Sequence, residues 1–266
     1  MSPGTLQRLL PLLLCLLPGI ARSACPIERP IRVSFYDLGV DYDPHSGHGL
    51  DSDIVDELQR RTGCRFSRTY DSRVRIWSQM AAGALDMTVS GVPTPERERS
   101  ARFVVYAWER DILLARNAAG LPPSPEAFLA DPDLLVGVVK SYRYADGWNQ
   151  WLQALRERHR VREVPDVETL FKVLDAGRVA AVPLEPEAVT LIGSRYRLTH
   201  PVRRLNWFGD RPRLPVGLVL SRTRRPAGLS DLLAAQIRLM QKDGTLLEIF
   251  RRYYPDEDAR NALTPP

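Results

Sequence analysis

The sequence predicts an α/β fold in two lobes, each built on a mainly parallel sheet with flanking helices. Three observations support it. Short apolar runs rich in β-formers alternate with amphipathic helical stretches from Ile31 onward, the pattern of parallel βαβ units. The alternation restarts after Asn117–Pro125, a stretch rich in Pro, Gly and Ala. The chain of 266 residues is long enough to bury a core in each half.

In order, Ile31–Tyr36 reads as a strand and Asp37–His48 as a polar, turn-rich loop. Asp51–Thr62 reads as a helix with Ile54, Val55 and Leu58 on one face, stopped by Gly63. A strand at Arg65–Tyr70, a helix at Ile76–Ala84 and a strand at Leu85–Val89 complete a β-α-β-α-β run. Phe103–Tyr106 and Ile112–Arg116 continue as strands. The second half runs strand Leu135–Val139, helix Ala145–Arg158, strand Val161–Val164, helix Val167–Ala176, strand Ala180–Pro183. Trp148 and Trp151, three apart on that first helix, share a face and read as packing residues. Strand Gly217–Ser221, helix Leu229–Gln241 and a short helix at Leu246–Tyr254 follow. Two such units in tandem predict a cleft between them.

Residues 1–23 read as a secretory signal peptide. Arg8 precedes the apolar run Leu9–Ile20, which is too short to span a bilayer. Ala21-Arg22-Ser23 suits cleavage after Ser23. An uncleaved anchor is the alternative, as is lipidation at Cys25, although Arg22 stands where a lipobox carries an aliphatic residue. The expected product is a soluble protein of the periplasm. Its net charge is 5 less the two leader arginines, or +3, and it lacks a long Lys/Arg block. That balance describes a solvated surface rather than a nucleic-acid partner. Cys25 and Cys64 survive processing. An oxidising compartment favours a disulfide between them, closing a loop worth about 3–4 kcal/mol in the chain-entropy model.

The chemistry concentrates in Gly83–Arg97, where strand Leu85–Val89 opens onto Ser90, Gly91 and Val92 and then Thr94-Pro95-Glu96-Arg97. That order brings backbone N–H groups, a hydroxyl and a guanidinium to one strand end. Arginine offers a planar fork that fits a carboxylate. The arrangement points to capture of a small anionic or zwitterionic ligand.

Gly49-Leu50-Asp51-Ser52-Asp53-Ile54, Trp77 ahead of Gly83-Ala84-Leu85-Asp86, Thr94-Pro95-Glu96-Arg97 and Ala101-Arg102-Phe103 with Tyr106 form an ordered set. Val136-Gly137-Val138, Gly177-Arg178 and Asp243-Gly244-Thr245 with Tyr253-Tyr254 extend it. With these pieces the chain resembles the bacterial extracellular solute-binding proteins of family 3, the periplasmic amino-acid-binding proteins of ABC importers. The resemblance implies the two-lobed periplasmic-binding-protein fold, with lobe 1 in residues 24–114 plus 215–266 and lobe 2 in 115–214. It implies two hinge crossings, near Leu114–Asn117 and Arg213–Pro215, and closure around the ligand. By the same resemblance Arg97 clamps the ligand carboxylate, Ser90 and the Val92 backbone surround it, and Glu185 pairs with an ammonium. Arg73 and Arg75 fall where side-chain contacts occur. No cofactor or metal is implied. The implied partners are a small ligand and an inner-membrane ABC permease, for a protein expected to be a monomer.

The second lobe departs from that pattern. Lys140-Ser141-Tyr142-Arg143-Tyr144 puts Tyr142 and Arg143 where a small hydroxyl residue is usual, Glu185 lies between prolines, and Ala180 replaces an expected acid. These departures shift the expected ligand from a standard α-amino acid toward another small acid or a modified or acidic amino acid. Structural readings stand beside each site. Arg97 falls in a charged run, Glu96-Arg97-Glu98-Arg99, and Ser90 could cap a turn. Glu185 could be solvated between its prolines, and Arg73 exposed. Tyr36 and Tyr42 could stack on a ligand, but Tyr36 ends an apolar strand and suits a core as well. His45 and His48, with Asp51 and Asp53 nearby, are too loosely spaced for a metal site; the two aspartates suit the helix N-terminus that follows. Alternative functions are a cyclohexadienyl-dehydratase-like enzyme using Glu185 as its acid, or a soluble ligand-sensing partner of a membrane receptor.

Overall fold

The computed structural model describes residues 25–36, 39–116, 121–191, 196–209, 212–223 and 227–266. The expected signal peptide and Asn117 lie outside the described residues. The first sheet comprises β1 (Ile31–Phe35), β2 (Phe66–Tyr70), β3 (Met87–Gly91), β4 (Ala101–Glu109) and β10 (Leu214–Ser221), in the order β2-β1-β3-β10-β4. Strands β1, β2 and β3 are parallel, while β10 runs antiparallel to β3 and β4. The second comprises β5 (Ile112–Arg116), β6 (Val136–Val139), β7 (Val161–Val164), β8 (Ala181–Leu184) and β9 (Val202–Leu205), in the order β7-β6-β8-β5-β9. It repeats the plan, with β6, β7 and β8 parallel and β5 antiparallel to β8 and β9.

The chain passes from β4 in the first sheet to β5 in the second through Arg110-Asp111. That crossing precedes the Leu114–Asn117 stretch, because Leu114 already pairs with Val182 and Arg204 in the second sheet. The Pro- and Gly-rich segment follows β5 instead of separating the sheets. The return runs between Leu205 and Leu214, reaching the Arg213–Pro215 stretch.

Each sheet is covered on both faces, as parallel strands require. On the first, α1 (Leu50–Thr62), α7 (Leu229–Lys242) and α8 (Thr245–Phe250) bury Ile54, Leu58, Leu233, Ile237 and Phe250 against Val33 and Leu220. The opposite face carries α2 (Arg73–Ala81) over a smaller cluster of Tyr36, Ile76, Met80 and Val219. On the second sheet α6 (Val167–Asp175) buries Leu170, Phe171 and Leu174. The far side holds α4 (Pro125–Ala130) and α5 (Asp146–Glu157), which bury Leu152 and whose Phe128, Trp148 and Trp151 pack edge to face with Trp207 or Phe208.

Differences from the sequence reading have local causes. Helix α1 stops at Gly63, whose φ of 68° only glycine adopts freely. Its N-cap is Gly49, not an aspartate: Asp51 and Asp53 sit in the first turn and make no cap bond. Helix α2 starts three residues before Ile76, because the Ser72 hydroxyl accepts the Arg75 N–H at 3.4 Å and fixes the entry. Thr94-Pro95 likewise starts a one-turn helix, α3 (Pro95–Glu98), where the sequence reading assigned no element. Helix α8 ends at Phe250, short of Tyr254, and α9 (Asp256–Leu263) follows. Cys25 and Cys64 are disulfide-bonded, with Cα atoms 4.9 Å apart. Among the described residues no helix is long and apolar enough to cross a membrane, and no group of three or more His, Cys, Asp or Glu could hold a metal.

Candidate functional site

The facing ends of the two lobes meet over a seam rich in arginine. From the first lobe Arg97 lies in α3, where the Thr94 hydroxyl accepts its backbone N–H at 3.2 Å. Its guanidinium sits 4.0 Å above the Trp77 ring. One Nη donates to the Val92 carbonyl at 3.0 Å. The other donates across the seam to the Ser141 carbonyl at 2.9 Å. The side chain is almost fully buried. Burial, with Arg73 and Arg143 close by, lowers its pKa to about 10, so it remains a cation at neutral pH.

Arg73, the first residue of α2, is equally buried at 7 % exposure. Its guanidinium lies between two rings, 4.0 Å from the Tyr36 centroid and 4.7 Å from that of Tyr142. Such stacking favours a desolvated cation by about 2 kcal/mol. Its Nε and Nη2 are buried without a hydrogen-bond partner among the described residues. The Tyr36 hydroxyl faces the carbonyls of Val89 and Ser90, 2.8 and 2.5 Å away, which fixes that ring at the end of β1.

Ser90 ends the apolar part of β3 with a φ of 43°, a left-handed conformation that is strained for a residue other than glycine and is typical of functional sites. Its hydroxyl turns into the first lobe and donates to Asp51 Oδ1 at 2.7 Å, beside the Tyr106 hydroxyl at 3.1 Å from the same oxygen. Asp51 is fully buried, and its Oδ2 has no partner among the described residues. Burial raises its pKa to about 7, against the pull of the Ser90 and Tyr106 hydrogen bonds and of Arg73.

From the second lobe the loop after β6 supplies Ser141, Tyr142, Arg143 and Tyr144. Ser141 adopts a φ of 64°. Tyr142 reaches into the first lobe and packs against the Tyr36, Ile76 and Met80 cluster. Its hydroxyl donates to Glu185 and approaches Asp111 at 3.3 Å. Glu185, at the end of β8, is buried, not solvated between its prolines. Burial raises its pKa, with the Tyr142 hydrogen bond and Arg73 opposing the rise. Arg143 stands at the rim, 3.6 Å from Glu96 across the seam. A cavity of about 350 Å³ opens there, lined by Trp77, Arg97, Ser141 and Arg143 among others.

The structure thus brings Tyr36, Arg73, Ser90, Val92, Arg97, Tyr142, Arg143 and Glu185 to one seam. Tyr42 instead stacks on Phe35 at 4.6 Å in the first core. His45 and His48 lie in an exposed loop organised by Asp43, which accepts from the His45 N–H and the Ser46 hydroxyl. Sequence reasoning missed Asp51 as a buried acid. A signal was present: Asp51 shares the helical face of Ile54, Val55 and Leu58. It also missed Asp111 at the crossing, for which no local pattern exists.

The sequence matches the profile of bacterial extracellular solute-binding proteins, family 3, over residues 33–256. No curated protein matches it. Among solved structures, an ancestral arginine-binding protein bound to glutamine superposes with a TM-score of 0.70 at 16 % identity, covering 86 % of this chain and 99 % of that one. The GluR0 ligand-binding core from Nostoc punctiforme in complex with L-glutamate gives 0.68 at 16 %, covering 85 % and 100 %. The ancestral amino-acid-binding protein AncCDT-1, a precursor of cyclohexadienyl dehydratase, gives 0.66 at 20 %, covering 85 % and 95 %. At these identities the likeness is one of fold.

Proposed function

Because the chain belongs to the bacterial extracellular solute-binding proteins of family 3, we propose that it captures a small carboxylate-bearing solute between its lobes and hands it to an inner-membrane ABC importer. The ligand is an amino acid or a related small acid, and the protein works as a monomer in the periplasm after loss of residues 1–23. One observation carries this reading. Two arginines, Arg73 and Arg97, are buried in the seam, and among the described residues no carboxylate lies within ion-pair distance of either. Buried cations normally have a partner, so an anionic ligand fits the deficit. Glu185, on the opposite lobe, suits an ammonium. A ligand held from both sides couples binding to closure, because neither lobe alone holds it fully.

The test is thermal unfolding of the processed protein against amino acids, dicarboxylates and ring acids. A ligand at a hundred times its dissociation constant stabilises by about 2.7 kcal/mol. Stabilisation by one class supports the reading and names the ligand; none from any carboxylate refutes it. Permease genes beside this one would support import over a role as receptor partner. A second reading follows from Glu185, a buried acid with a raised pKa beside a cation. On this scaffold it would serve as the general acid of a dehydratase. Turnover of a prephenate-like acid, abolished by Glu185→Gln, would support the enzyme, and binding without turnover would dismiss it.

A further inference from the structure

The two seam arginines are not equivalent. Arg97 has both terminal nitrogens committed to main-chain carbonyls, Val92 on its own lobe and Ser141 on the other. Those bonds tie the lobes together. The unpartnered atoms of Arg73 are Nε and Nη2, which lie on one edge of the guanidinium. That edge is the one other arginines of this chain present to carboxylates. Arg32 gives Nε and Nη2 to the two oxygens of Asp86 at 3.1 and 2.9 Å. Arg60 gives the same pair to Glu57 at 2.7 and 2.6 Å. Arg73 therefore keeps a bidentate edge that is buried and unpartnered among the described residues, with the Tyr36 and Tyr142 rings packed on its guanidinium.

Tyr142 occupies the neighbourhood a ligand would need. Its ring covers one face of Arg73, and its hydroxyl holds Glu185. Arg73 and Glu185 both contact Tyr142, so its withdrawal would leave an unpartnered guanidinium and a carboxylate bordering the space it vacates. That pair matches the carboxylate and ammonium of a zwitterion.

We infer that Arg73 is the carboxylate receptor of the cleft, that Arg97 is the latch between lobes, and that an incoming carboxylate displaces the Tyr142 side chain. This rests on the solute-binding reading but assigns the receptor to a different arginine from the one the family resemblance implies. Arg73 then selects by geometry as well as charge, since a lysine could not present a fork.

The experiment follows the arginine Nε–H resonances of the full processed protein by NMR, assigned with Arg73→Lys and Arg97→Lys. Acetate is the probe, and chloride at matched ionic strength is the control. A saturable downfield shift of the Arg73 Nε–H with acetate and not with chloride is expected, the Arg97 signal holding still. In Tyr142→Ala the same shift saturates at lower acetate. Movement of Arg97 in place of Arg73 overturns the assignment and leaves the solute-binding reading intact. Equal shifts with chloride, or none in either the parent or Tyr142→Ala, overturn the receptor. The solute-binding reading fails separately, if the thermal panel of amino acids, dicarboxylates and ring acids gives no stabilisation. Should Arg73→Lys fail to fold, triple-resonance assignment on the isotope-labelled parent identifies the same Nε–H signal.

Discussion

Asp51→Asn tests the electrostatics beneath the seam. The Asp51 carboxyl is fully buried and accepts hydrogen bonds from Ser90 and Tyr106 through one oxygen, the other having no donor among the described residues. Its pKa rises from the ordinary 3.8 to about 7. In the unfolded chain the group ionises near its ordinary value. Between those two values the native state holds a proton that the unfolded state has lost. Stability from this group is therefore greatest below pH 4, falls as the pH rises toward 7, and is flat beyond. Ionising the buried group costs about 4 kcal/mol over the full range, and about 3 kcal/mol between pH 4.5 and pH 8. Asparagine keeps the shape and cannot ionise. Urea unfolding of parent and variant at both pH values isolates the effect, because every other titrating group cancels in the difference. The variant should gain about 3 kcal/mol on the parent between pH 4.5 and pH 8. An Asp51→Asn effect that is the same at both pH values would refute the argument.

Further outcomes follow from the same contacts. Reducing the Cys25–Cys64 disulfide opens a 39-residue separation and should lower stability by about 4 kcal/mol in the chain-entropy model, read by denaturation with and without reductant. Asp86→Asn removes the negative charge and one of the two acceptor oxygens shared by Arg29 and Arg32, whose hydrogen bonds hold the Asp86 pKa well below the carboxylate range. With both arginines partly exposed, a loss of about 2 kcal/mol at pH 7 is expected. In the parent this contribution is present above pH 4 and lost as the pH falls, so variant and parent should converge in acid. Arg97→Met deletes the bond to Ser141 and should shift the lobes toward an open form by about 1.5–3 kcal/mol, seen as a larger radius of gyration by X-ray scattering.

The fold was legible because its signals are periodic. Ile54, Val55 and Leu58 mark the buried face of α1, and Val161–Val164 is a strand in both the sequence reading and the structure. Gly63 marked a boundary by conformation alone. The sheets' order was less accessible, since β5 and β10 run against their neighbours through pairings made far along the chain. The site divided in the same way. Arg97 was legible from Thr94-Pro95-Glu96-Arg97, whose cap and proline also start α3. Arg73 was named only through the resemblance, as a side-chain contact; its burial was not legible, because its environment combines Tyr36 from one lobe with Tyr142 from the other. Nothing within a window of sequence records that encounter. For Glu185 the sequence left two readings open, an ammonium partner or a side chain solvated between its prolines. Its burial depends on Tyr142, more than forty residues away.

The seam contacts also constrain how ligand and closure compete. The structure has Tyr142 inserted in the first lobe and Arg97 bonded across to Ser141. Around the rim lie Arg143 with Glu96 at 3.6 Å and His45 with Glu168 at 3.8 Å, exposed pairs that contribute little. Among the described residues the buried seam contacts of Arg97 and Tyr142 both belong to the ligand site. A ligand must withdraw the Tyr142 phenol before it gains Arg73 and Glu185, so its apparent affinity falls by the fraction of molecules with Tyr142 withdrawn. Removing the phenol should raise affinity without adding a ligand contact. Removing Arg97 should lower it by weakening closure, with the carboxylate preference unchanged. The two substitutions act on one equilibrium from opposite sides. Combined, they should yield an affinity near that of the parent, with selectivity still set by Arg73. Isothermal titration of the two single variants and the double variant with a ligand found by the thermal panel measures this. An affinity in the double variant as low as that of the Arg97 variant alone would mean that Tyr142 does not hold the site shut.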